Sequence, residues 1–207
     1  MTRDELIALV ATSLSHRPEP VPGGCLFCHI PHVAEFAYLG RIYDPVSTER
    51  ASAAFAEARN PGNPYFRFAT QVANGLRIAN ISLYGVVEGI DRSVMGIGQP
   101  ISLRYGNVIE RPAGLRETDM VVGGIVGWSS TGAFVMADDA TVRLVHARDG
   151  ADVADAWPSL EAMLRAELIR LAAVHDGDGR ELCAATDLMH PSGRRWETEI
   201  EPGRLRH

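Results

Sequence analysis

Apolar residues recur at helical spacing in several stretches of the chain. Leu6, Leu9, Val10 and Leu14 follow Thr2 and Glu5, whose spacing forms a capping box, so an amphipathic helix is expected at the start, ending before Pro18. Ser47 can cap a second helix over the alanine-rich run 51–59, which Pro61 and Gly62 stop. Asn63 caps a third, with Pro64 at its first position, Tyr65, Phe68 and Val72 along it, and Gly75 just past its end. Ser159 caps a last long helix with Glu161 in its first turn and Leu160, Leu164, Leu168 and Leu171 on one face.

Between these helices the pattern changes. Ile78, Ile81, Leu83, Tyr84 and Val86 are strand formers, and a short helix is expected between 101 and 110. The runs 121–128, 133–137 and 141–147 are separated by Ser129-Ser130-Thr131-Gly132 and Asp138-Asp139-Ala140, compositions that favour turns. They predict an antiparallel meander. The expected core holds Phe68, Val72, Ile81, Leu83, Val122, Val126, Trp128, Phe134, Val142, Leu144, Leu160, Leu164 and Leu168. Residues 17–24, rich in proline and glycine, read as a semi-extended linker, so 1–45 is expected to be an N-terminal extension, 46–174 the folded domain and 175–207 a polar C-terminal extension with one short strand over 181–185.

Composition narrows the chemistry. The 207 residues are 46% hydrophobic, enough to bury a core. All 20 basic residues are arginine, which excludes Schiff-base, phosphate-loop and kinase-type lysine chemistry. A net charge of -6 provides no general basic field for nucleic acid. Acids at Asp4 and Glu5 and the absence of a long apolar run predict a cytoplasmic protein without a membrane partner, and three cysteines do not make a disulfide framework.

The sharpest motif is Cys25-Leu26-Phe27-Cys28-His29-Ile30-Pro31-His32. Thiolate and imidazole suit zinc, and Cys25, Cys28 and His32 form a candidate metal triad with Cys183 or His190 as a fourth ligand; the simpler reading is a turn with reduced, partly buried cysteines and no cofactor. The same letters spell a haem-attachment motif, which would need export and a second axial ligand. Residues 127–131 approach a nucleophile elbow but place Thr131 at the second glycine, and 96–101 lack the third dinucleotide glycine. Residues 176–181 start like a calcium loop but put Arg180 at a ligand position, so a tight turn is expected. No spacing assigns acid and base roles, so no enzyme is expected. Asp138, Asp139, Asp149, Asp152 and Asp155, opposed only by Arg143 and Arg148, form an acidic stretch read as a solvated edge or as a steering surface for a basic protein partner.

A series of motifs runs from Pro64-Tyr65-Phe66-Arg67-Phe68 through Asn74-Gly75-Leu76, Leu83-Tyr84-Gly85 and Asn107 to the strands ending at Trp128, and Gly132-Ala133-Phe134-Val135, Thr141-Val142-Arg143-Leu144 and Trp157-Pro158-Ser159-Leu160-Glu161 complete it. Over residues 46–171 their order resembles the SUKH superfamily, domains named after a yeast regulator of cell-wall synthesis. The resemblance implies an α+β domain with a curved, largely antiparallel sheet and helices packed around it. It further implies a cytoplasmic bacterial immunity protein that binds and neutralises a cognate polymorphic toxin without catalytic residues. The acidic Gly-Asp signature usual after the central strand is replaced here by Gly127-Trp128-Ser129-Ser130. Alternatives from other classes are a zinc-dependent enzyme using Cys25, Cys28 and His32, and a general scaffold.

Overall fold

In the computed structural model the described residues are 1–89, 98–125, 132–146, 150, 152–180 and 182. Among them the elements run α1 (Arg3–Ser13), β1 (Glu19–Val21), β2 (Gly24–His29), β3 (Tyr38–Tyr43), α2 (Thr48–Glu57), α3 (Tyr65–Gln71), β4 (Leu76–Ile78) and β5 (Ile81–Leu83). A π turn (Tyr105–Ile109), β6 (Met120–Ile125), β7 (Gly132–Met136), β8 (Val142–His146), β9 (Val153–Trp157) and α4 (Leu160–Val174) follow. The nine strands form one open antiparallel sheet in sequence order, with the helices packed on it: an α+β fold with a curved sheet.

The helix starts follow the side-chain chemistry. Thr2 and Glu5 make the full capping box of α1, Ser47 Oγ accepts from the Arg50 amide, and Ser159 Oγ accepts from the Ala162 amide at 3.1 Å. Asn63 Oδ1 accepts from the Tyr65 amide at 3.0 Å, which seats Pro64 at the entry of α3. All four helices send buried residues into one core: Leu6 and Val10 from α1, Phe55 from α2, Tyr65 and Phe68 from α3, and Met163, Leu164 and Leu168 from α4. The sheet contributes Phe27, Ile42, Leu76, Ile81, Phe134 and Leu144 to that core. Of the expected core residues, Val126 and Trp128 lie outside the described residues; the others are buried.

Segment 1–45 is not an extension. It supplies three strands and a helix whose Leu6 and Val10 are fully buried in the common core, and α1 packs on α4. Residues 17–24, expected as a linker, hold β1 and the turn into β2; Pro20 is tolerated there because β1 is an edge strand. Gly24 permits the close pairing of β2 with β3: at φ +154° it sits where a Cβ would fall 2.0 Å from the Ile42 carbonyl oxygen. The run 76–87 divides into β4 and β5 around Ala79, which has positive φ, and the expected short helix at 101–110 contains the π turn. Of the expected C-terminal extension, 175–180 packs back on β2, where a Cβ on Gly179 would lie 2.8 Å from Cys28 Sγ. The expected loops at 96–97 and 127–131 and most of the strand at 181–185 lie outside the described residues.

Candidate binding surface

Strand alternation gives the sheet a second buried face, away from the helices, made of Val121, Ala133, Val135 and Val145. Segment 103–119 crosses it. Its anchor is Asn107, whose amide nitrogen donates to the carbonyls of Leu103 and Val121 at 2.9 and 2.7 Å, and whose Oδ1 accepts from the Val121 amide at 2.9 Å. Both ends of one side chain thus stand in for a strand partner of β6. Gly106 lets the segment approach: a Cβ there would lie 2.6 Å from Val121 Cγ1 and 2.9 Å from the Tyr84 ring.

Fixed this way, the π turn presents Tyr105, Val108 and Ile109 outward, with 39, 45 and 65% of their surface exposed. Three neighbouring apolar side chains on one turn are the kind of patch that protein partners cover. Tyr105 packs edge-on against Tyr84, whose hydroxyl pKa burial pushes up to about 12, with lesser contributions from Tyr105 and Glu110.

Arg111 and Asp119 connect this patch to the acidic turn. Arg111 donates to Asn107 Oδ1 and to the carbonyls of Arg116 and Asp119, while Arg116 and Arg143 both pair with the buried Asp119 carboxylate, at 2.8 and 2.7 Å. Arg116 in turn feels Asp139 and Asp138. These two carboxylates are exposed on the β7–β8 turn, closed by hydrogen bonds between Ala137 and Thr141 and between Ala140 and Ala137. Asp139 is preorganised: its Oδ1 accepts from the Thr141 hydroxyl at 2.7 Å and the Thr141 amide at 3.0 Å, which hold its pKa below the ordinary carboxylate range.

The acidic residues do not form one surface. Asp138 and Asp139 lie at one end of the β7–β8 hairpin and Asp152 beyond the other; five strand residues at about 3.3 Å each separate the ends. Residues 152–157 are tied to the sheet: the Asp152 carbonyl accepts from the His146 amide, and Asp155 lies within β9, half-buried and opposite Leu144. Asp149 is outside the described residues.

The cysteine motif lies in β2, not in a turn. Cys25 and Cys28 are both buried, but three residue steps along the strand, at about 3.3 Å each, separate their backbone positions by about 10 Å. Cys25 belongs to the main core, near Arg3, Asp44 and Arg41; Cys28, at φ +54°, sits against the 176–179 turn. Burial raises the pKa of both thiols, and Asp176 and Asp178 push that of Cys28 further up. Such thiols are poor metal ligands. His32 is exposed on the β2–β3 connection, and Cys183 and His190 lie outside the described residues. The proposed triad therefore does not converge, and among the described residues no group of three or more His, Cys, Asp or Glu is placed to hold a metal ion. The calcium-like run is a tight turn, with Asp176 Oδ1 accepting from the amides of Asp178 and Arg180.

A cleft of about 300 Å³ lies beside β3 and α2, but the charged side chains that line it engage one another or a neighbour: Arg50 with Glu88, and Asp44 with Arg3. Among the described residues no helix is long and apolar enough to cross a membrane. Sequence reasoning named Asn107 only as a position in a motif order and did not single out Asp119 or Arg111; a polar residue inside the apolar run Tyr105–Ile109 is the signal that marks Asn107 as an anchor. No protein-family model, no curated protein and no solved structure matches the chain.

Proposed function

We propose that the chain is a protein-binding domain, an immunity protein of the SUKH kind that acts in the cytoplasm by docking on a cognate toxin domain. One observation carries this reading: the preorganised acidic turn at Asp138 and Asp139, linked through Arg116 and Arg111 to the apolar patch of the π turn. Carboxylates held in place on folding lose little further entropy on binding, and they steer a basic partner while the apolar residues supply contact area. A toxin with a basic substrate groove would be masked in this way.

On this reading a neighbouring gene encodes a secreted protein with a toxin-like C-terminal domain, and the test uses that domain as the partner; a neighbourhood without one counts against the immunity reading. The chain should bind it and protect cells from it, and Asp138→Asn with Asp139→Asn should slow association about tenfold at low salt and flatten the salt dependence, with little change in stability. An unchanged association rate at low and high salt would rule out the acidic turn as interface. Failure to protect would rule out the immunity reading.

A further inference from the structure

The cleft of about 300 Å³ beside β3 and α2 has walls fixed by hydrogen bonds. On one side the Val86 amide donates to Asn74 Oδ1 at 2.7 Å and the Val86 carbonyl accepts from Asn74 Nδ2 at 3.0 Å; on the other, the Val46 amide donates to the Ala69 carbonyl at 3.1 Å. Both valines line the cleft together with Pro45 and Pro100, so its inner part is apolar. Small-molecule sites are preformed, largely apolar hollows with a few placed polar groups, and this volume lies at the lower end of their range. An occupant is therefore small.

The mouth carries Arg50 and Glu88, both well exposed and open to a ligand. They meet through one atom of each, Nε and Oε1, 2.5 Å apart, and among the described residues no hydrogen bond engages the terminal nitrogens of the guanidinium or Oε2 of the carboxylate. A donor fork and a carboxylate oxygen thus stand side by side. Arg50 lies in the first turn of α2, where the helix dipole also favours negative charge. Asp44, paired with Arg3, adds a second carboxylate to the rim. A simple carboxylate on the fork would be repelled by Glu88 and Asp44, and a simple amine on Glu88 would be repelled by Arg50. A molecule that carries both charges on one carbon avoids both penalties: its carboxylate takes the fork, as guanidinium geometry favours, while its ammonium takes the neighbouring carboxylate oxygen.

We propose that this cleft binds a free α-amino acid with a small aliphatic side chain, its carboxylate on the Arg50 guanidinium, its ammonium on Glu88, and its side chain against Val46, Val86 and the two prolines. The Arg50–Glu88 pair stays intact, and the ligand extends it into an alternating ring of four charges. The site shares no residue with the acidic turn or the π turn and does not depend on the immunity reading.

Calorimetric titration of the full chain with leucine tests this, beside isocaproate, which lacks the ammonium, isoamylamine, which lacks the carboxylate, and glycine, which lacks the side chain, all at one ionic strength. Leucine should give a saturable heat, and each of the other three should bind about tenfold more weakly, the effect of losing one charge-assisted contact or the apolar one. Arg50→Met should weaken leucine binding about tenfold. Glu88→Gln should weaken it about threefold while tightening isocaproate, because the repulsion is gone; this variant keeps the shape of the side chain and so keeps the test valid should Arg50→Met fail to fold. No saturable heat with leucine, or leucine binding that both variants retain in full, would overturn the proposal. Isocaproate or isoamylamine binding as tightly as leucine would overturn the paired-charge recognition, and glycine binding as tightly would overturn the role of the apolar wall.

Discussion

Asp119 has 1% of its side chain exposed, yet it is surrounded by cations. Burial alone would raise its pKa, but hydrogen bonds from Arg116 and Arg143 outweigh that and hold the carboxyl below its ordinary range. Because the folded value lies below the unfolded one, the stabilisation is fully present above the unfolded carboxylate range, near about 3.9, and is lost as the pH falls through the lower folded value. Asp119→Asn should therefore lower stability at neutral pH by about 2 kcal/mol and flatten the acid limb of the stability profile. Urea denaturation at a series of pH values checks this; an acid limb as steep as that of the parent chain would assign the slope to other carboxylates. Nothing in the local sequence singles out Asp119. Its importance comes from Arg143, which is distant in sequence and reaches it across β7, because Arg143 is paired with Val135 and Val135 with Val121, two residues past Asp119.

At the scale of elements, the sequence was most legible where side chains act locally. Thr2, Ser47, Asn63 and Ser159 mark the helix starts because each bonds to an amide two or three residues on. β2 was not legible, because Gly24 to Cys28 are all buried and offer no alternation to read; β9, with two alanines and an aspartate among its five residues, has little strand character of its own. The acidic residues could be named, but their distribution over two ends of a hairpin and one strand depends on pairings that spacing does not encode. The β7–β8 turn illustrates a local cost. Ala140 has φ +69°, in the left-handed region that a Cβ disfavours and glycine adopts freely. Ala140→Gly should be neutral or stabilising by up to about 1 kcal/mol, where the same exchange in a helix would destabilise. Thermal unfolding decides it, and a lowered melting temperature would mean that the turn carries no such strain.

Across the whole molecule, every described strand pairs with its neighbour in sequence, while α1 and α4 bring distant parts of the chain together. This divides the order of assembly. Closing a loop costs entropy that grows with its length, so adjacent strands can zip together early, even as the chain leaves the ribosome, whereas α1 cannot reach its seat until α4 has been made. The docking of Leu6 and Val10 is then a late event, formed after the rate-limiting barrier. Leu6→Ala should cost about 2–4 kcal/mol, and in a chevron plot nearly all of it should appear as faster unfolding with the refolding arm unmoved. A refolding arm slowed in proportion would place α1 in the nucleus. With α1 docking late, the contact between the first and last described helices controls how long the folded state lasts rather than how quickly it forms, and transient release of α1 would be an early route to proteolysis.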